Sequence, residues 1–509
     1  MQGLNRKRIE TVAAVVAVGH IIIAFTHGGP VAVPDVSAYL SISQWLWGGV
    51  LPAELPYFPG YGLLLAPVGF LSGSALHTAA LIMNAGAAGL AVLLSARLVR
   101  RLGGSRELEL VVALVAAVHP SLSTSARIAW PETMLVCSLL GVALLMSHGR
   151  WCGAGWLTGG MIVLHPRALV VLIAALICAV IASRAKRLAL GLGPSLLLSL
   201  LAIAVTNTWP WTRVAATGNA NGGTSFISTA LGQVVAVAGS TAGLAIIGLL
   251  AGCWGYRKSQ ISIVGFFIAT SAVGMIVVGG WALMGSSRVD TILYGRYLDP
   301  WALPLIIVGL ATVQRVARYR YIWASAAVSF LAMAGSWYGV NATEGPSRRI
   351  MTLSLGALWK LFQGSYGYTL IGATAIAMVG IFITARGTHI PIVLVTVLAC
   401  SSIVVNHSHL ANVGRIADGQ ATLAPLVPNS ESCLSHDLSV KGYALWLYRL
   451  QRPDLNHERV DLQQSQNLCG RYVIANSEAL SNCADAQNLG VEPRGDWILW
   501  EVPVDGTCS

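Results

Sequence analysis

From Thr11 to about Val405 the chain alternates long apolar stretches with short polar breaks, and thirteen such stretches can be read. They lie at about 11–25, 75–96, 108–121, 133–148, 153–165, 168–183, 188–206, 233–253, 261–283, 301–314, 321–339, 368–384 and 389–405. Helices satisfy their own backbone polar groups in lipid, so the pattern predicts an all-α polytopic membrane protein of about 13 transmembrane helices. Every second break is basic: Arg6-Lys7-Arg8, Arg97 to Arg106, Arg150, Arg184 to Arg187, Arg257-Lys258, Arg315 to Arg320, and Arg386. Clusters of this kind mark cytoplasmic loops. They predict a multi-pass protein of the cell (plasma) membrane, with the N-terminus cytoplasmic and the C-terminus extracytoplasmic. The first stretch lacks a small-residue cleavage site and reads as an uncleaved span.

Beyond residue 405 the pattern changes, which divides the chain into a membrane domain, 1–405, and an extracytoplasmic cap, 406–509. The tail holds twelve of the 21 acidic residues. A helical run at Leu438–Leu450 and strand-like runs at Gly470–Ala475 and Trp497–Val502 predict a small α/β domain. Its four cysteines, Cys433, Cys469, Cys483 and Cys508, suggest two disulfides, for which three pairings exist. Zinc is the alternative use, but the tail has no Cys-x-x-Cys or His-x-x-His spacing.

Composition sharpens the picture. The chain is 55% apolar and 10% charged, and the mean hydropathy is +0.67. Its net charge of +11 lies in the inter-span clusters, so it signals topology and no nucleic-acid partner. Only eight carboxylates fall between Thr11 and Val405, and six of them (Asp35, Glu54, Glu132, Asp290, Asp299, Glu344) lie in predicted outward loops. Acidic groups near lipid are costly and mark candidate sites.

The first outward loop, 28–74, carries Asp35 ahead of Val36–Trp47, whose apolar positions predict a short interfacial helix with an aromatic face at the headgroup level. Asp35 reads as the N-cap of that helix, as a catalytic group, or as both. The run from Leu55 to Pro67, with Tyr57 and Tyr61, is too short and too rich in Pro and Gly for a span and reads as re-entrant or interfacial. Farther along, Arg127 precedes Pro131-Glu132, His165-Pro166-Arg167 ends a span, and Arg288 precedes Tyr294-Gly295-Arg296-Tyr297. Outward arginines suit planar multi-oxygen groups such as phosphate, or snorkel to lipid. Glu132 reads as a second acid or base, or as a carboxylate complementing a helix dipole. Asp290 and Asp299 are expected to pair with Arg288 and Arg296. Trp209 and Trp211 suit either sugar stacking or an aromatic belt. The 341–367 segment suits a lid or a surface helix, and Asn406-His407-Ser408 matches the glycosylation pattern.

A first outward loop opening on an Asp, then an interfacial helix, then Pro56-Tyr57-Phe58-Pro59-Gly60-Tyr61 before a Leu-rich run, resembles the GT-C superfamily of integral-membrane glycosyltransferases. That superfamily includes protein O-mannosyltransferases and the aminoarabinose transferase of lipid A. Where many members carry an acidic pair, this chain has Pro34-Asp35-Val36, a lone Asp. The resemblance implies an inverting transferase that takes a sugar of the mannose or arabinose class from a polyprenyl phosphate. The acceptor would be an extracytoplasmic glycan, glycolipid or protein. It implies Asp35 as general base; Arg127, Arg167, Arg288, Arg296, Tyr294 and Tyr297 toward the donor phosphate; and His165, Glu132, Tyr39, Tyr57, Tyr61, Trp209 and Trp211 toward substrate. No cofactor is expected, and no metal, since no carboxylate cluster of suitable spacing is visible.

Two other readings compete. A lipid-linked sugar flippase should show paired broken helices and mid-span polar residues. An O-antigen-type polymerase or ligase would use outward Arg and His (His165, Arg167, Arg296) without an Asp base.

Overall fold

A computed structural model describes residues 2–31, 33–51, 57–208, 224–254, 260–313, 318–342, 353–463, 468–480, 483 and 485–503. Helix covers each of the thirteen stretches predicted from the sequence. Among the described residues, six helices are long and apolar enough to cross a membrane, or up to nine if each of three bent pairs is one span. Three more apolar helices, Glu132–Ser147, Trp151–Leu164 and Ala168–Ile181, have 16, 14 and 14 residues. At 1.5 Å per residue these fall short of a hydrocarbon core of about 30 Å. The helical membrane bundle expected from the sequence is thus built of long, short and broken helices. It is a multi-pass membrane protein.

The breaks have local causes. Ser105 caps Arg106–Val118 by accepting from the Leu108 N–H, and Pro120, which has no N–H to donate, starts a new turn bent by 50°. Helices Phe226–Ser240 and Leu244–Trp254 meet at 116° through Ala242 and Gly243, both with positive φ. Val289–Tyr297 turns by 60° into Asp299–Val313. Elsewhere the helices pack through small residues: a Cβ on Gly191 would lie 1.9 Å from the Cys152 carbonyl oxygen.

The helix after the first span runs Val33–Trp45. It starts earlier than the sequence suggests, so Asp35 sits within its first turn and is not its N-cap. Nor is its apolar face exposed. Residues 36–44 are all buried, with the cap's Tyr443–Gln451 helix packed over them. The Gln44 amide donates to the Leu450 carbonyl at 3.4 Å, and the Val50 N–H to that of Pro453 at 2.7 Å. Val36, Ala38, Tyr39, Leu40 and Ile42 are buried, and so are the small or polar Ser37, Ser41, Ser43 and Gln44 between them, so the helix sits in the core. The exposed Trp47, edge-on to the exposed Phe70, keeps the interfacial character expected of the region.

The last bundle helix, His389–Asp418, continues past residue 405 toward the cap. There a five-stranded sheet runs in the order β2-β1-β3-β5-β4: β1 Cys433–Asp437, β2 Asn456–Val460, β3 Tyr472–Ala475, β4 Gln487–Val491, β5 Ile498–Glu501. β1 pairs parallel with β2 and β3, and β5 antiparallel with β3 and β4. Cys433 and Cys469 form a disulfide 36 residues apart, so the neighbouring Glu458 faces no thiolate pair able to hold zinc. Cys483 is also disulfide-bonded, and Cys508 lies outside the described residues. Replacing Cys433 and Cys469 with Ser should cost about 2–4 kcal/mol of cap stability, read as a lower melting temperature of the full-length protein.

The cap also carries a buried histidine pair, His436 Nε2 to His457 Nδ1 at 3.1 Å. Burial holds both imidazoles neutral, His436 well below its ordinary value and His457 at about 3. The unfolded chain takes up these protons near pH 6.5 and the folded cap does not. Cap stability should therefore be full above about pH 6.5 and fall as the pH drops below it, which chemical denaturation across pH 4–8 measures.

Candidate active site

Four buried or nearly buried ionised side chains converge where the broken helices end. Asp35 comes from the first turn of Val33–Trp45, Glu132 from the first turn of Glu132–Ser147, Arg167 from the start of Ala168–Ile181, and Arg296 from the 3₁₀ turn Gly295–Tyr297. Arg296 bridges the two carboxylates: one terminal nitrogen lies 2.6 Å from Asp35 Oδ2, and its Nε donates to Glu132 Oε1 at 2.7 Å. Its guanidinium lies 4.0 Å over the Trp130 ring. Arg167 donates to the same Glu132 oxygen at 3.2 Å and to the Arg296 carbonyl at 3.1 Å, and lies 4.7 Å over the Tyr297 ring. Such charges are tolerable out of water because each is paired and hydrogen-bonded.

The pairing is incomplete in an informative way. Among the described residues Glu132 Oε2 and Arg167 Nε, both buried, have no hydrogen-bond partner. A buried acceptor and a buried donor left open beside each other's charges suit a polar ligand with both hydroxyls and anionic oxygens.

The tyrosines build the wall. The Tyr57 hydroxyl donates to Asp35 Oδ1 at 2.5 Å. Tyr39 stands edge-on to Tyr57 and Tyr61, at 5.3 and 5.5 Å between ring centroids. Tyr61 is fully buried and donates to the Ala80 carbonyl, which makes it a support. Gly62 is needed here, since a Cβ would lie 2.5 Å from the Tyr39 carbonyl oxygen. Tyr57→Phe should slow turnover about ten-fold with donor affinity unchanged, as steady-state kinetics would show.

Other sequence candidates fall in different places. His165 Nδ1 accepts from the Arg167 N–H at 3.1 Å, so it orients the arginine's backbone. Arg288 pairs with Asp290, as expected, through the Arg288 Nε–H to Oδ1 at 3.1 Å and a second, shorter contact to Oδ2. Asp299 does not pair with Arg296, whose two partners lie across the bundle; among the described residues its buried Oδ1 has no hydrogen-bond partner. Tyr294 stacks edge-on to Tyr297 at 4.9 Å. Arg127 joins none of this: its hydrogen bond goes to His407 at 3.0 Å. Asn406 is buried and donates to the Leu353 carbonyl, which closes that glycosylation pattern. Trp209 and Trp211 lie outside the described residues, as do positions 343–352 of the expected lid.

ArnT from Cupriavidus metallidurans, solved in the apo state, superposes on 96% of this chain and 97% of its own, at TM-score 0.52 and 14% identity. Its structure bound to undecaprenyl phosphate aligns over the same shares at TM-score 0.53 and 13% identity. The chain has an ArnT-like fold. An oligosaccharyltransferase from Archaeoglobus fulgidus aligns at TM-score 0.42 and 10% identity, over 92% of this chain and 69% of its own. No protein-family model matches the chain, and no curated protein matches it in sequence. Trp130 was not singled out in the sequence, although it carries Arg296 in this ArnT-like bundle. Its signal was its place two residues before Glu132.

Proposed function

We propose that the protein is a lipid-linked sugar transferase that moves a sugar from a polyprenyl-phosphate donor to an extracytoplasmic hydroxyl with inversion. The observation that carries this is the Asp35–Arg296–Glu132–Arg167 quartet, which sets a carboxylate base beside two guanidiniums suited to phosphate. The undecaprenyl phosphate bound by ArnT from Cupriavidus metallidurans is the kind of lipid we assign to the donor. The sugar is of the mannose or arabinose class, and the site faces the outer side, with the N-terminus cytoplasmic.

In this reading the acceptor hydroxyl gives its proton to Asp35 as its oxygen attacks the anomeric carbon. The bond from that carbon to the phosphate oxygen breaks, and Arg296 and Arg167 take the charge that develops on the leaving phosphate. Tyr57 holds Asp35, and the open Glu132 oxygen accepts from a sugar hydroxyl. Asp35 separates this reading from the polymerase or ligase alternative, because it is held inside the charged cluster.

The test is mass spectrometry of cell-envelope glycans and lipid-linked sugars in wild type, a deletion, and the deletion complemented with Asp35→Asn. One sugar missing from the glycans in both mutants, with its lipid-linked form accumulating, is the expected result. A glycan restored by Asp35→Asn removes the proposed base.

A further inference from the structure

Arg127 poses a separate question. It is 8% exposed, and among the described residues it makes no ion pair with a carboxylate, while its Nε has no hydrogen-bond partner. His407 lies 3.0 Å from it, and the Gln2–Thr26 helix, which carries His20 and leads into His27, packs against the Ser125–Arg127 turn. His77 stacks on His27 at 6.2 Å between ring centroids. His27 and His77 are buried, and among the described residues none of their ring nitrogens has a hydrogen-bond partner. A buried guanidinium without a counter-charge is costly, and so is each unmade hydrogen bond.

We infer that Arg127, with His20, His27 and His407, forms a second anion site that takes a phosphate group carried by a membrane lipid. The cluster's fixed charge is positive, and neutral imidazoles can turn an N–H toward phosphate oxygens. A metal ion fits poorly: beside Arg127 it would be repelled, and among the described residues no three of these imidazoles bring nitrogens within 4.8 Å of one another. The site lies in the seam between helices Gln2–Thr26 and His389–Asp418, which the Gly29 N–H closes by donating to the Gly414 carbonyl at 3.0 Å. It opens at His407, which is exposed on the second helix. A lipid can reach that opening sideways from the bilayer. The short stretch Ser125–Glu132 ties the two sites together, since the Trp130 indole under Arg296 donates to the Ser125 carbonyl at 3.1 Å. This site goes beyond the donor assignment above and does not depend on it.

The test is native mass spectrometry of the full-length protein from nanodiscs of neutral lipid, titrated with a short-chain polyprenyl phosphate. Wild type should bind two equivalents. Arg127→Gln should weaken one of them about ten-fold or more, leaving the equivalent that Arg296→Gln removes. Arg127→Lys, which keeps the charge, should retain both, and His407→Ala, at an exposed position, carries the same test if Arg127→Gln fails to fold. Inorganic phosphate that displaces only the Arg127-dependent equivalent would show that the headgroup alone is read; no displacement would show that the lipid chain is read too. A single equivalent in wild type that Arg127→Gln leaves intact, or two that neither Arg127→Gln nor His407→Ala disturbs, overturns the inference. So does zinc bound in place of phosphate and lost with His27→Ala. A single wild-type equivalent that Arg127→Gln removes and Arg296→Gln leaves would instead count against the donor site and leave this one standing.

Discussion

Asp35→Asn is expected to cut sugar transfer by about 10²–10⁴-fold while holding a polyprenyl phosphate more tightly than wild type does. Both halves follow from one contact. In the resting site Arg296 is committed to Asp35 at 2.6 Å and to Glu132 at 2.7 Å. A donor phosphate must draw Arg296 away from Asp35, and the same exchange frees the carboxylate to act as a base. An amide cannot take the proton, so transfer stops. It also grips a guanidinium less strongly than a carboxylate does, so the exchange becomes easier. Tyr57 can still hydrogen-bond the Asn side chain, and the fold should survive. Purified variant and wild type, compared in donor binding and single-turnover transfer, supply the check. Transfer within a few-fold of wild type would remove Asp35 from the chemistry, and weaker donor binding would refute the exchange.

Arg296→Gln should lose both transfer and stability. The substitution leaves Asp35 without its charged partner and leaves Glu132 with Arg167 alone, in surroundings where removing one partner of a buried pair costs about 3–5 kcal/mol. It also takes away the cation over Trp130, a contact of about 0.5–2 kcal/mol. Arg296→Lys restores the charge but not the two-pronged geometry, because an ammonium cannot reach Asp35 and Glu132 from one planar fork. We expect partial recovery of melting temperature with Lys and little recovery of transfer. Equal rescue of both would mean that Arg296 acts through charge alone. No change in either variant would mean that the bridge is incidental.

Much of this site could be read from residue type and topology, while its wiring could not. Asp35, Glu132, Arg167 and Arg296 stood out as charges at the outward ends of apolar stretches. Their pairing follows contacts between residues far apart in sequence, such as Glu132 and Arg296, 164 positions apart. Asp299 was the natural partner for Arg296 by proximity in sequence. The 3₁₀ turn at Gly295–Tyr297 aims the arginine across the bundle instead. Arg127 shared residue type and outward position with the others, and only packing separates it from them. In the cap, the Tyr443–Gln451 helix, β3 and β5 showed as apolar runs. β1 and β2, written with Ser, His, Asp, Asn, Glu and Arg, did not, because parallel pairing across the sheet makes them strands and alternation does not. In the Val33–Trp45 helix the polar positions after Asp35 are three serines and Gln44, with no further charge, a composition that tolerates burial. A loop position invites an interfacial reading, and the cap that buries the helix lies some four hundred residues downstream.

Two guanidiniums and two carboxylates sum to zero. The resting quartet therefore lacks the long-range field of a net charge, which would gather anions from a distance. A lipid donor has no need of such a field, since it already travels in the plane of the bilayer and meets the site at contact range. Capture then rests on a swap of partners between neighbours, inside the distance over which dissolved salt screens. The initial rate of transfer should thus change little between low and physiological ionic strength, in contrast to enzymes that steer charged substrates in from solution.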